Sequence, residues 1–194
     1  MKPAERYYST LVVSSGEPFF SSLLKMMPPS RFDPVRKAGS ISAARRMLAE
    51  RAYDIVIVNS PLKDDAGMGF AIDASGLKGT IVLLIIRADQ HDEVHAKVSP
   101  HGVFTISKPL HRSMMVTALM WIMSARERVR NLEIKTHSIE EKMSEIRTVN
   151  RAKWLLIREL KMEEQEAHRY IEKQAMDRCV TRREIAENII KTYS

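Results

Sequence analysis

From Leu110 to the last residue the chain contains neither glycine nor proline. Nothing there breaks a helix by removing a backbone donor or by favouring a left-handed turn. Within that stretch, starting at Met115, apolar residues recur at alternating gaps of three and four. They are Ala118, Ile122, Ala125, Val129, Leu132, then Ile139, Met143 and Ile146, with Thr136 the one polar member. This is a heptad seam held for more than four repeats, and its flanks are charged, from Arg126, Glu127 and Arg128 to Glu140, Glu141 and Lys142. The first two turns, Met115 to Ile122, are expected to pack on the domain that precedes them. An isolated charged helix must bury the rest of its seam. A parallel homodimer through Ile122, Val129, Leu132, Ile139, Met143 and Ile146 is therefore expected, the alternative being a helix folded back on its own domain.

Beyond Ile146 the register fails at Asn150 and Lys153, and three helical periods follow. Val149, Ala152, Leu156 and Leu160 carry the first. Ala167, Tyr170, Ile171, Gln174 and Ala175 carry the second, and Ile185, Ala186 and Ile189 the third. Breaks are expected near Lys161-Met162 and ahead of Thr181, where Thr181 and Glu184 have the spacing of a capping box. Three short helices enclose a very small core, so the module is expected to lean on a partner or a second copy. On its first helix Arg151, Trp154 and Arg158 stand at i, i+3 and i+7, a basic stripe with an aromatic in its middle. Aromatic faces and guanidinium planes hold unpaired bases, and cations anchor phosphates. The same spacing also suits a tryptophan packed on a neighbour with solvated arginines.

Ala152-Lys153 with Leu155-Leu156, Glu166-Ala167-His168-Arg169, Gln174-Ala175-Met176-Asp177 and Ile185-Ala186 occur in order. In sequence and spacing they resemble the ANTAR domain of bacterial transcription antitermination regulators. The pattern departs from that family at Trp154, where glycine is frequent, at Lys161 and Glu163, which replace a turn glycine and a Ser/Thr cap, and at Cys179, where a polar residue is common. The resemblance implies a module that binds paired hairpins in the leader of a nascent transcript and prevents a terminator from forming. The side chains expected to meet RNA are Arg151, Lys153, Trp154 and Arg158 on the first helix and Arg169 and Lys173 on the second. Arg182 and Arg183 are expected to add phosphate contacts.

The 194 residues leave room for one further domain of ordinary size, and 44% hydrophobic content is that of a globular protein. Net charge is +7, but residues 147–194 hold 11 Lys+Arg against 8 Asp+Glu, so charge alone does not single out a nucleic-acid partner. A single cysteine excludes a disulfide framework within one chain and fits a reducing cytosol. The N-terminus lacks a long apolar stretch after its charges, and the longest apolar run, Ile81 to Ile86, is too short to span a bilayer. A cytoplasmic protein with no membrane partner is expected.

Ahead of the long helix, strands and helices alternate. Leu11 to Val13, Asp54 to Val58 and Thr80 to Ile86 are apolar and rich in β-branched residues, as strands buried on both faces are, and Gly102 to Ile106 is a further strand. Helices are expected over Phe19 to Met27, and from a cap at Ser40 or Ser42 through Glu50. This α/β pattern predicts an open parallel sheet whose sites lie at the carboxyl ends of strands. With Lys108-Pro109 it resembles the receiver domain of two-component response regulators, which implies a flavodoxin-like (CheY-like) fold. That resemblance also implies an acidic pair after the first strand, an aspartate after the third and a Thr/Ser after the fourth. Here those positions hold Ser14 and Ser15, then Asn59, then Arg87, with Lys108 alone matching. An amide is no nucleophile toward a phosphoryl donor, and hydroxyls do not replace carboxylates on a hard cation. Asp64 and Asp65 lie too far along the loop to substitute. A pseudo-receiver is expected, with Arg87 near Asn59 in the vacated pocket and the domain acting as scaffold or as docking surface for a sensor or sequestering protein.

The expected organisation is a pseudo-receiver over 1–120, a coiled-coil helix over 121–146 and an ANTAR module over 147–194. His91, His95, His101 and His111 fall in a loop-rich region without metal-ligand spacing, and no metal, cofactor or catalytic residue is expected. An enzyme is the class least favoured. Two competing readings stay open: a DNA-binding response-regulator-like factor, and a dimeric interaction protein that touches no nucleic acid.

Overall fold

The computed structural model describes residues 6–62 and 66–193. Asp64 and Asp65 lie outside the described residues. Five parallel strands form one sheet: β1 (Thr10–Val13), β2 (Val35–Ala38), β3 (Ile55–Asn59), β4 (Ile81–Arg87) and β5 (Phe104–Lys108), in the order β2-β1-β3-β4-β5. The unbroken apolar runs have a direct cause, because successive side chains alternate between two cores. Leu11, Val13, Val56, Val58, Val82, Leu84 and Ile86 face one. Val12, Ile55, Ile57, Ile81, Leu83 and Ile85 face the other.

Helices α2 (Ile41–Glu50), α3 (Met68–Ser75) and α4 (His91–Val98) cover the first core. Ser40 caps α2, its side chain accepting from the Ala43 amide at 3.2 Å. Helix α1 (Glu17–Leu24) and the start of α5 (Arg112–Leu160) cover the second. Helix α1 begins earlier than expected because Pro18 suits its first turn, where no amide proton is needed. Two corrections concern elements. β2 was not expected, and it is an edge strand carrying Arg36 and Lys37 rather than an apolar run. His91 and His95 lie on helix α4 rather than in a loop, their rings stacked with centroids 5.6 Å apart.

Order reverses between β1 and β3, so their carboxyl ends open a crevice at Ser14 and Asn59, where doubly wound sheets place ligands. At the opposite end Asp54 collects four donors: the Ser9 amide (3.0 Å) and hydroxyl (2.8 Å), Arg126 Nε (2.8 Å) and Arg130 (3.2 Å). Glu127 accepts from Tyr8 (3.0 Å), Arg130 (2.8 Å) and Arg6, and the Arg130 guanidinium lies over the Tyr8 ring. These contacts fix α5 to the sheet as far as Arg130.

The helix continues for 49 residues, and the chain divides into two compact units between Asn131 and Leu132. In the second unit the end of α5 packs with α6 (Glu164–Arg178) and α7 (Arg182–Tyr193). Ala152, Leu155, Leu156, Ala167, Ile171, Ala175, Ile185, Ala186 and Ile189 form its core. Four alanines among nine core residues let three helix backbones approach closely. Lys161, with φ of 56°, ends α5, and Cys179, with φ of 53°, caps α6. Glu163 is the N-cap of α6, and the Glu166 carboxylate accepts from its amide at 3.0 Å. Among the described residues no helix is long and apolar enough to cross a membrane.

Candidate nucleic-acid interface

On α5 the side chains of Ala152, Leu155 and Leu156 turn inward, which leaves Arg151, Trp154 and Arg158 on the opposite face. Trp154 is 65% exposed, far more than a packing tryptophan tolerates. Arg151, Trp154 and Arg158 line a groove of about 580 Å³ together with Asn150, Leu155 and Tyr193. Tyr193 and Asn150 were not singled out in the sequence. Tyr193 continues the apolar period of α7 four residues after Ile189, and that spacing was the available signal. Arg158 Nε reaches the adjacent Glu159 at 2.6 Å, whereas Arg151 makes no ion pair among the described residues.

Lys153 stands apart from this stripe. It is 100° around the helix from Ala152 on one side, lies mostly covered, and pairs with Glu164 at 3.0 Å. With Arg182, His168, Lys142, Glu145, Ile146, Val149 and Asn150 it lines a second groove of about 420 Å³. Arg182 lies 3.5 Å from Glu145 and 3.7 Å from Glu172. Arg183 pairs with Glu187 at 2.8 Å, and that hydrogen bond holds its guanidinium pKa above the ordinary value. On α6 the buried Ala167, Ile171 and Ala175 put Arg169 and Lys173 on the outer face beside Met176. Neither Arg169 nor Lys173 makes an ion pair among the described residues. The seven cationic candidates thus divide among the described residues: Arg151, Arg169 and Lys173 present uncommitted charge, and Lys153, Arg158, Arg182 and Arg183 hold carboxylates.

The receiver-like crevice brings together Ser14, Asn59 and Lys108. Asn59 Nδ2 donates to Ser14 Oγ at 3.3 Å, while buried Asn59 Oδ1 has no hydrogen-bond partner among the described residues. Lys108 Nζ donates to the Ser60 carbonyl, and burial lowers its pKa. Ser15 and Arg87 correct the expected pocket. Ser15 is exposed, and Arg87 points at Asp89, which it grips through Nε (3.0 Å) and a terminal nitrogen (2.7 Å) rather than filling the space beside Asn59. Two rigid acceptors on Asp89 match the planar guanidinium fork, and an amide oxygen offers only one.

The seam also divides. Ile122 is fully buried against Met115, Ala118 and Leu119 in the chain's own core, and Val129 packs on the same cluster. Ile122 is therefore no intermolecular knob, which corrects that expectation. Leu132, Ile139, Met143 and Ile146 remain about half exposed with Ile134.

Residues 137–190 match the ANTAR domain family. Over 170 residues the chain is 24% identical to the transcriptional regulatory protein PdtaR of Mycobacterium tuberculosis, a match spanning 88% of this chain and 83% of that protein. A signal receiver domain of an HD domain-containing protein from Pseudomonas fluorescens Pf-5 superposes with a TM-score of 0.58 at 21% identity, over 68% of this chain and 97% of that one. A response regulator receiver domain protein from Clostridium thermocellum gives 0.55 at 17% identity, over 64% and 98%. These two likenesses establish the receiver fold of the N-terminal unit.

Proposed function

Given an ANTAR domain behind a domain of receiver fold, we propose that the chain is an RNA-binding transcription antiterminator. In this reading it acts as a homodimer on tandem hairpins in a leader transcript, independently of receiver phosphorylation. The observation that carries the reading is the outer surface of the ANTAR module, where Arg151, Arg169 and Lys173 hold no carboxylate among the described residues and Trp154 is bared between Arg151 and Arg158. Hairpin loops expose unstacked bases that such a surface can hold, whereas the deep groove of an intact A-form helix excludes side chains.

Dimerisation through Leu132, Ile139, Met143 and Ile146 supplies the pairing. Two modules on one stem engage two hairpins, and the second contact gains from effective concentration. With Asn59 in place of a phosphoacceptor and Ser14 and Ser15 in place of carboxylate ligands, the input is other than receiver phosphorylation: a sensor or sequestering protein, a ligand in the pseudo-receiver, or a competing RNA. Substitutions test the roles. Lys173→Ala weakens binding to all RNAs and lowers the slope of log affinity against log salt by about 1. Trp154→Ala impairs loop-containing RNA most, by about tenfold. Equal loss on a blunt RNA duplex would contradict stacking.

A further inference from the structure

The groove shared by α5 and α7 has a composition that selects one ligand class. Its lining holds two aromatic rings, Trp154 and Tyr193, two guanidiniums, Arg151 and Arg158, one amide, Asn150, and the apolar Leu155. Among the described residues no carboxylate lines it. The groove is open, with a volume of about 580 Å³, so a ligand lies against its walls rather than being enclosed. Rings offer flat faces for stacking, guanidiniums offer planar donors to phosphate oxygens, and an amide carries both a donor and an acceptor for a base edge.

We infer that this groove holds a single unpaired nucleotide, its base against Trp154 and Tyr193, its phosphate on Arg151, and its edge read by Asn150, with Arg158, whose Nε is held by Glu159, at the rim. The inference rests on the RNA-binding reading and deepens it. Tyr193 lies three residues past the stretch that matches the ANTAR family, and Trp154 stands where glycine is frequent. Tyr193 also packs on the module's core, which ties the rim of the pocket to the fold of α7.

The test uses the full chain carrying Trp121→Phe. The sequence has two tryptophans, so Trp154 becomes the only one. Its fluorescence is titrated with a single-stranded adenosine hexaribonucleotide and with an abasic ribose-phosphate hexamer of equal charge. Quenching by the first, with the abasic hexamer weaker by about tenfold or more, is the expected result. Tyr193→Leu keeps an apolar body on the core, and with Asn150→Asp it should lose about tenfold, while Tyr193→Phe keeps wild-type affinity. Thermal melts of each variant separate lost binding from lost fold. Equal affinity for the two hexamers, or wild-type affinity in folded Tyr193→Leu, overturns the inference. Tandem-hairpin RNA is titrated alongside: if wild type and Tyr193→Leu bind it equally, the pocket falls and the RNA reading stands. If wild type binds neither RNA, both fall.

Discussion

Two residues in the ANTAR module adopt backbone conformations that suit glycine better. Lys161 and Cys179 have positive φ, and each follows a helix that would otherwise leave its last carbonyls without partners. The Cys179 amide bonds to Met176 at 3.2 Å and the Val180 amide to Ala175 at 3.0 Å, the pattern of a left-handed cap. A Cβ in that region costs about 1 kcal/mol. Lys161→Gly and Cys179→Gly should therefore each stabilise the folded chain by about 0.5–1 kcal/mol, read as raised midpoints in urea titrations. Gly67 shows the reverse constraint. Its φ is 83° and an added Cβ would lie 2.9 Å from Val58 Cγ1, whereas Gly102, at 77°, faces open space. The sequence pointed to the Lys161 position, because a turn glycine is usual there, but it could not show that lysine accepts the same dihedral angles.

At the scale of elements, legibility followed burial. Strands β1, β3 and β4 were readable because both faces are apolar, and the 49-residue helix because nothing interrupts it. β2 was not, because an edge strand with two cations has no apolar run, and α4 was not, because its eight residues bury only Val98. The seam was legible as a period but not as a partner: periodicity states that Ile122 and Ile139 are buried somewhere, and only packing distinguishes the chain's own sheet from a second copy. That distinction is testable. Ile122→Glu places a charge in a filled core and should unfold the N-terminal unit. Ile139→Glu lies on an exposed face, and should leave the thermal melt of that unit unchanged while sedimentation shows monomer in place of dimer.

The ion network at Asp54 is the other element-scale device, and sequence periodicity had no means of revealing it. Burial raises the Asp54 pKa, but hydrogen bonds from Ser9 and Arg126 outweigh it, and the folded pKa lies below its ordinary value. A carboxylate shifted down contributes stability that is present above its unfolded pKa of about 3.9 and is lost as pH falls through the folded value. Asp54→Asn should cost about 3 kcal/mol at pH 7, since it removes the charge that Arg126 and Arg130 both pair with in a mostly covered site. The difference from wild type should shrink as pH drops below about 4. A gap independent of pH in urea titrations would mean that packing, not charge, holds α5 there.

For the whole molecule, a domain of receiver fold with Asn59 at the end of β3 is joined to an ANTAR module that leaves Arg151 and Trp154 exposed. Only the stripe of Arg151, Trp154 and Arg158 was readable from spacing, and the other candidate cations followed from the family resemblance. Their division into uncommitted and paired groups was not, because Glu164, Glu145, Glu172 and Glu187 meet their partners through the packing of α5, α6 and α7 or across a helical turn. Net charge gave little guidance, since carboxylates hold four of the seven candidate cations. The most direct measurement is a salt-titrated gel-shift of the full chain against a tandem-hairpin RNA, a blunt RNA duplex and a DNA duplex of equal length. The account predicts selective binding to the tandem hairpins, lost when one hairpin is deleted. Equal binding to all three, or binding to none, would contradict it and leave a stem-forming interaction protein as the better description.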